Sequence, residues 1–167
     1  MTSETVTTYV GLGSNLGDRA GNLMLAVRGL LEASLSVTRL SALYETEPFG
    51  VEHQDNYLNM VAEVEIRNIT PEQMLARMLR IEYLLGRRRE YPKSARTVDL
   101  DLLAFGDSIH KNDFVTLPHP QLHLRNFVLI PFAEIAPTFK HPKLNQTIKE
   151  LMQKTSDKSK VKRWQPK

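Results

Sequence analysis

Residues 57–86, "YLNMVAEVEIRNITPEQMLARMLRIEYLLG", pass from one periodicity to another within a few positions. "YLNMVAEVEIR" reads as a strand, and the chain after Asn68 is shaped to start a helix. Thr70 is a natural N-cap, Pro71 suits the first helical position and Gln73 supports the start. Apolar Met74, Leu75, Met78, Ile81, Tyr83 and Leu85 follow at helical intervals, and Gly86 ends the run. A strand delivered straight into an amphipathic helix calls for a fold that layers helices on a sheet. The N-terminal region repeats the arrangement. "VTTYVGL" at 6–12 reads as a strand, "GSNLGD" as a turn, and a helix capped by Asp18 or Asn15 runs to about Ala33, with Leu23, Val27, Leu30 and Leu31 on one face.

Between these units "SVTRLSALYET" reads as one strand over 36–46. "EPFGVEHQDN" is longer than a simple hairpin connection, and long loops in compact domains tend to carry function. "RTVDLDLL" at 96–103 is a fourth strand, followed by a short hairpin around Gly106-Asp107. Helices are expected over about Phe127–Ile135 and Gln146–Lys154. The order β-α-β-β-α-β predicts an α+β, ferredoxin-like core, an antiparallel sheet flanked by helices, with a C-terminal hairpin and helices. With 167 residues and no internal linker, a single domain over 1–167 is expected.

Composition removes several chemistries. The chain has no cysteine, which excludes disulfides, zinc–thiolate sites and cysteine nucleophiles. "MTSETVTTYV" lacks the basic and apolar regions of a secretory signal, and no apolar run approaches membrane-spanning length. A cytoplasmic location and no membrane partner are expected. The basic pI of 9.2 is largely a tail effect. Six of the 22 Lys and Arg lie in residues 154–167 against one acid, so the remainder is slightly acidic. Such a tail reads as a solvated or frayed terminus rather than a nucleic-acid-binding arm.

The chemistry concentrates at 87–105. On a strand, Asp99 and Asp101 share one face, which then turns apolar at Leu103 and Phe105. An exposed polar face would explain one such acid. Two side by side, with no Cys or His ligand nearby, also suit a hard cation such as Mg²⁺, which takes one or two carboxylates plus water and phosphate oxygens. Arg87, Arg88, Arg89 and Arg96 precede the pair, and fixed cations beside such carboxylates suit a nucleoside triphosphate. "GLGSNLG" fits neither a P-loop nor a dinucleotide fingerprint, and reads as a strand-to-helix turn or a phosphate contact. "LPHP" sets His119 in a stiff loop, structural or ligand-binding. Tyr57 and Asn59 share a strand face, as edge-strand residues or as a holder for a flat heterocycle.

In order, "GLGSNLGDR", "YETEPFG", "YLNMV", "RIEYLLGRRR", "RTVDLDLL" and "LPHPQLHLRNFVLIPFAEIAP" strongly resemble the 6-hydroxymethyl-7,8-dihydropterin pyrophosphokinase family of folate biosynthesis, from about Tyr9 to Pro137. The resemblance implies transfer of the β,γ-pyrophosphoryl group of ATP, the co-substrate, to the pterin's hydroxymethyl oxygen, with two Mg²⁺ ions and a monomeric enzyme. It implies that Asp99 and Asp101 hold both ions and that Arg87, Arg89 and Arg96 contact phosphates. Glu82 would order the arginines. Leu102, Thr116, His119 and Arg125 would serve the nucleotide. Thr46, Glu47 and Phe49 would meet the pterin, Asn59 would hydrogen-bond its ring, and Tyr57 and Phe127 would stack on its two faces. Asp101 would help accept the hydroxyl proton.

The family often carries R-W-G-P-R-T before its aspartates, where this chain has "YPKSART", with Lys93 or Tyr91 in place of the tryptophan. Glu47 stands where proline is common. The rival reading is a ferredoxin-like module that binds RNA through the arginine loop and tail. The acidic body and the absence of an RNP-type aromatic pattern argue against it. A catalytically silent relative is a further alternative.

Overall fold

A computed structural model of the chain describes residues 3–47, 54–87 and 95–167. Among the described residues eight strands and four α-helices follow one another: β1 (Thr5–Ser14), α1 (Arg19–Glu32), β2 (Ser36–Leu40), β3 (Tyr44–Thr46), β4 (Tyr57–Arg67), α2 (Pro71–Leu84), β5 (Asp99–Phe105), β6 (His110–Lys111), β7 (Thr116–Leu117), α3 (Asn126–Ile135), α4 (Ile148–Lys154) and β8 (Val161–Arg163). The main sheet runs β5-β1-β4-β3-β8, with β2 beside β3 on the same edge of β4, and every described pairing is antiparallel.

The starts of the two long helices follow from their residues. Asp18 caps α1 by accepting from the Gly21 N–H. Thr70 and Gln73 form a reciprocal capping box on α2, satisfying two otherwise orphaned donors. Both helices lie on one face of the sheet. Alternate residues of β1, β4 and β5 (among them Val10, Leu12, Leu58, Met60, Leu100 and Leu102) are buried beneath them with Leu23, Leu30, Met74 and Met78. The other face is covered only in part, where Tyr9, Val61, Leu103 and Ala104 pack against Leu129 and Phe132 of α3 and Ile148 and Leu151 of α4.

Four expectations need correction. The strand expected over 36–46 is split into β2 and β3. At the break Ser41 donates its N–H to the Val61 carbonyl, and its hydroxyl accepts from the Val61 N–H, so a side chain replaces a rung of the ladder. Phe105 does not share the face of Asp99 and Asp101. Tyr9 opposes Ala104 while Val10 opposes Leu102, so Leu103 is an extra residue in β5. This bulge reverses the alternation and sends Phe105 into the core under α1 and α2. The hairpin lies at β6–β7, where Asn112 Oδ1 accepts from the N–H groups of Phe114 and Val115, whereas Gly106-Asp107 only ends β5. The basic tail is solvated at its lysines, yet Val161–Arg163 pair with β3, and Trp164 packs against the main core.

Candidate active site

The uncovered end of the second sheet face is a cleft of about 280 Å³. Its floor follows from the register. Asn59 of β4 lies opposite Gly13 of β1, and Gly13 lies opposite Asp99 of β5; one step along, Val61, Gly11 and Asp101 form a second row. Tyr57 precedes Asn59 by two residues and pairs with Thr46. These side chains share one face because strand residues alternate and directly paired residues match. The glycines leave the central strand bare between the carboxylates and the amide. A Cβ at Gly13 would lie 2.7 Å from Asn59 Oδ1.

The cations arrive by two devices, one a local turn and the other a clamp between distant segments. After α2, Gly86 takes a positive φ of 85°, the Gly86 N–H donates to the Tyr83 carbonyl, and the Arg87 N–H donates to the Glu82 carbonyl. This is a Schellman turn, for which glycine is the natural residue. It aims Arg87 at β5, where its guanidinium bridges the buried Glu82 carboxylate and Asp99 Oδ1, the latter at 2.8 Å. Arg96 is fastened by Asn15, itself buried: Asn15 Oδ1 accepts from the Arg96 N–H, and the Asn15 N–H donates to the Arg96 carbonyl. Arg96 then donates to Asp99 Oδ2 at 2.8 Å. Glu82, Arg87, Asp99 and Arg96 thus form one ionic chain. Removing Arg87 would strand the buried Glu82 carboxylate, which costs about 3–5 kcal/mol.

Asp101 is more open, with 43% of its side chain exposed, and its Oδ1 lies 4.0 Å from His119 Nε2. His119 is set by its own backbone, whose N–H donates to the Leu103 carbonyl. Its Nδ1 accepts from the Gln121 N–H, which places the proton of the neutral ring on Nε2, toward Asp101. Burial lowers the His119 pKa, opposed by the charge of Asp99, so the ring is neutral at pH 7. Burial raises the Tyr57 pKa, with Arg96 the first opposing charge, so its hydroxyl stays protonated.

Of the residues expected at the site, Thr46, Glu47, Tyr57, Asn59, Arg96, Asp99, Asp101, Arg125 and Phe127 line the cleft. Thr46 Oγ1 is buried there without a hydrogen-bond partner. Glu82 and Arg87 reach the cleft through Asp99. The Leu102 side chain points away from the aspartates into the helix-covered core, and Thr116 sits on β7 opposite Lys111. Phe49, Arg88, Arg89, Tyr91 and Lys93 lie outside the described residues. Residues not anticipated are Gln54, Gln121, Asp157 and Ser159, while Gly11 and Gly13, read as part of a turn or a phosphate contact, stand on β1, and Asn15, read as a helix-cap candidate, holds Arg96 instead. The two-residue spacing of Gly11 and Gly13 was the available signal, since on a strand it puts both on one face.

Two carboxylates on one open face, with basic groups around them and no thiolate in the chain, are a donor set that fits Mg²⁺. Among the described residues no group of three or more His, Asp or Glu forms a self-sufficient cage, so further ligands would come from water and substrate.

Comparison with known proteins agrees with this chemistry. A sequence model of the family described as 7,8-dihydro-6-hydroxymethylpterin-pyrophosphokinase (HPPK) matches residues 9–137. The 2-amino-4-hydroxy-6-hydroxymethyldihydropteridine pyrophosphokinase of Bacillus subtilis is 38% identical over 160 residues, covering 95% of this chain and 90% of that protein. Its counterpart from Haemophilus influenzae is 36% identical over 160 residues, covering 94% and 98%. The crystal structure of Plasmodium falciparum HPPK-DHPS with pteroate superposes with a TM-score of 0.73 at 18% identity, over 92% of this chain and 43% of that one, a likeness of fold. The chain belongs to the 7,8-dihydro-6-hydroxymethylpterin-pyrophosphokinase family.

Proposed function

We propose that the cleft around Asp99 and Asp101 is where this chain carries out its family's reaction, transfer of pyrophosphate from ATP to the hydroxymethyl group of 6-hydroxymethyl-7,8-dihydropterin, giving the pterin diphosphate and AMP. The observation that carries this placement is the row Asn59–Gly13–Asp99, which puts an amide fit for a heterocycle beside a carboxylate held by two arginines. The pterin lies over Gly13, with Asn59 hydrogen-bonding its ring, Tyr57 and Phe127 on its faces, and Thr46 and Glu47 along its edge; Phe49, outside the described residues, serves the same ligand. Thr46 Oγ1, buried without a partner, supports a polar ligand there. ATP lies toward β5 and the loop after β7, met by Arg125, His119 and the segments around Leu102 and Thr116.

Asp99 and Asp101 would hold two Mg²⁺ ions, which would neutralise the triphosphate oxygens and favour ionisation of the attacking hydroxyl. The protein's own part is positional and electrostatic. Arg87 and Arg96, fixed by Glu82 and Asn15, present cations that need no reorganisation as charge develops; Arg89, outside the described residues, is a further phosphate contact. The hydroxymethyl oxygen bonds to the β-phosphorus, the bond from that phosphorus to the α–β bridging oxygen breaks, and AMP departs with the electron pair. Asp101 takes the hydroxyl proton. The protonated Tyr57 and neutral His119 leave the carboxylates as the anions facing substrate.

The strand order β5-β1-β4-β3-β8, with α1 and α2 on one face, supports the ferredoxin-like reading. One sheet drawing strands from residues 5–163 supports a single domain. The enzyme works as a cytoplasmic monomer without nucleic-acid or membrane partners. No described helix is long and apolar enough to cross a membrane. The test mixes protein, Mg²⁺, ATP and hydroxymethyldihydropterin. Pterin-dependent AMP is expected, and ADP alone, or no pterin-dependent turnover, rejects the reading.

A further inference from the structure

We infer that Asp157, in the C-terminal segment beyond the family match, is a positioning residue that holds Arg125 and Phe127 against the cleft. The inference rests on the site reading above and extends it to a stretch that the sequence treats as a solvated tail.

Helix α3 starts without help from its own N-cap, because Arg125 occupies that position and makes no side-chain capping bond. Asp157, thirty-one residues later, supplies the cap. Its Oδ2 accepts from the Asn126 N–H at 2.8 Å, and its backbone carbonyl accepts from Asn126 Nδ2 at 2.8 Å. Its other oxygen, Oδ1, accepts from the Ser159 N–H at 2.9 Å. Partial burial pushes the carboxyl pKa up, but the N–H groups of Asn126 and Ser159 and the charge of Arg125 outweigh it and leave it below the ordinary range. The group is therefore an anion at neutral pH, favourable at the positive end of a helix.

The capped residue decides what the bond does. Asn126 stands between Arg125 and Phe127, both of which line the cleft, and Asp157 and Ser159 line it too. The segment is tied on each side. The Thr155 N–H donates to the Leu151 carbonyl at the end of α4, and Val161 of β8 pairs with Thr46. The tail thus crosses the mouth of the cleft from α4 to the strand carrying Thr46, and clamps α3 in passing. With the clamp gone, the first turn of α3 frays and its two cleft residues lose their fixed places. That loss weakens substrate binding and leaves the carboxylate and arginine chain on β5 as it was.

Steady-state kinetics of the full chain test this, with the folded state of each variant checked by circular dichroism. Asp157→Ala is expected to raise KM for ATP and for the pterin about tenfold, up to the whole worth of a helix cap, with kcat changed less than about threefold. Asp157→Asn keeps an acceptor for the Asn126 N–H and should recover most of that loss. Should Asp157→Ala not fold, Asn126→Ala removes only the bond from Asn126 Nδ2 to the Asp157 carbonyl and is expected to raise both KM values about threefold. Combined with Arg125→Ala, Asp157→Ala should add little to KM for ATP, since it acts through that side chain. Wild-type KM values in folded Asp157→Ala or Asn126→Ala, or full additivity with Arg125→Ala, overturn the inference. If wild-type protein makes no pterin-dependent AMP, or Arg125→Ala is silent, the site reading has failed instead, and this inference falls with it.

Discussion

The two faces of the sheet are built from the same strands and do opposite work. Under α1 and α2, every second residue of β4 is apolar and buried, and Val10 and Leu12 of β1 and Leu100, Leu102 and Phe105 of β5 join it, with the buried Thr8 and Ser14 as the polar exceptions. Beneath α3 and α4 the same strands are apolar only as far as Tyr9, Val61 and Leu103. Past that line they present Gly11, Gly13, Asn59, Asp99 and Asp101. One face supplies the apolar burial that holds the strands in register, and this lets the other leave glycines and charges exposed where packing residues would otherwise stand. The site is an unfinished core, and the finished core opposite makes it tolerable.

The contrast can be broken first where the charges stand. Asp99→Ala or Asp101→Ala should reduce AMP formation roughly 10²–10³-fold, the scale seen when one electrostatic contact to a transition state is lost. A variant of either kind with near-normal turnover would refute the placement of the chemistry on this face. On the opposite face, Leu58→Ala is expected to cost about 2–5 kcal/mol of stability in denaturant titration, with KM for the pterin unchanged in the folded fraction. Its neighbour Asn59→Ala should do the reverse, raising KM for the pterin with little change in midpoint. If both substitutions move the same quantity, the division of labour between the faces is wrong.

Gly13→Ala sharpens the comparison at smaller scale. Its Cβ would displace the Asn59 amide, so KM for the pterin should rise roughly fivefold to tenfold, the worth of one misplaced hydrogen bond. An unchanged KM would mean that Asn59 does not bind the ring. The smallest effect is that of pH. Burial lowers the pKa of both His119 and His141, so the folded state keeps these rings neutral where the unfolded chain, near 6.5, already protonates them. The unfolded state then binds more protons, and stability should fall as pH drops from about 7 to 5.5. Asp157 and Glu72 have lowered carboxyl pKa values and lose their contributions only below about pH 4.5, outside that window. A midpoint that is flat or rises toward pH 5.5 would contradict the neutral assignment of His119.

Much of this was legible in residue order. Thr70, Pro71 and Gln73 announce α2 because a capping box is local chemistry, complete within four residues. Asp99 and Asp101 share a face because a strand's alternation is local too. Where local order was interrupted from afar, the reading erred. The bulge at Leu103 turns Phe105 around, and it exists only in the pairing of β5 with β1. Ser41 breaks a strand through a bond to Val61, twenty positions away. The tail looked like a solvated end because its lysines are exposed, whereas Val161–Arg163 owe their strand to the edge that β3 offers.

By itself the sequence determined the chemistry available: paired acids with no thiolate, a run of arginines, and an amide and an aromatic on one strand face. Spacing alone settles those, since side-chain type and backbone period are properties of adjacent residues. Only the tertiary structure decided that Gly13 lies between Asn59 and Asp99, that Glu82 and Asn15 hold the arginines on one carboxylate, and that Asp157 caps a helix thirty-one residues before it. Each of these is a meeting of chain segments remote in sequence. Loop-closure entropy opposes such meetings, and the apolar burial under α1 and α2 offsets that cost.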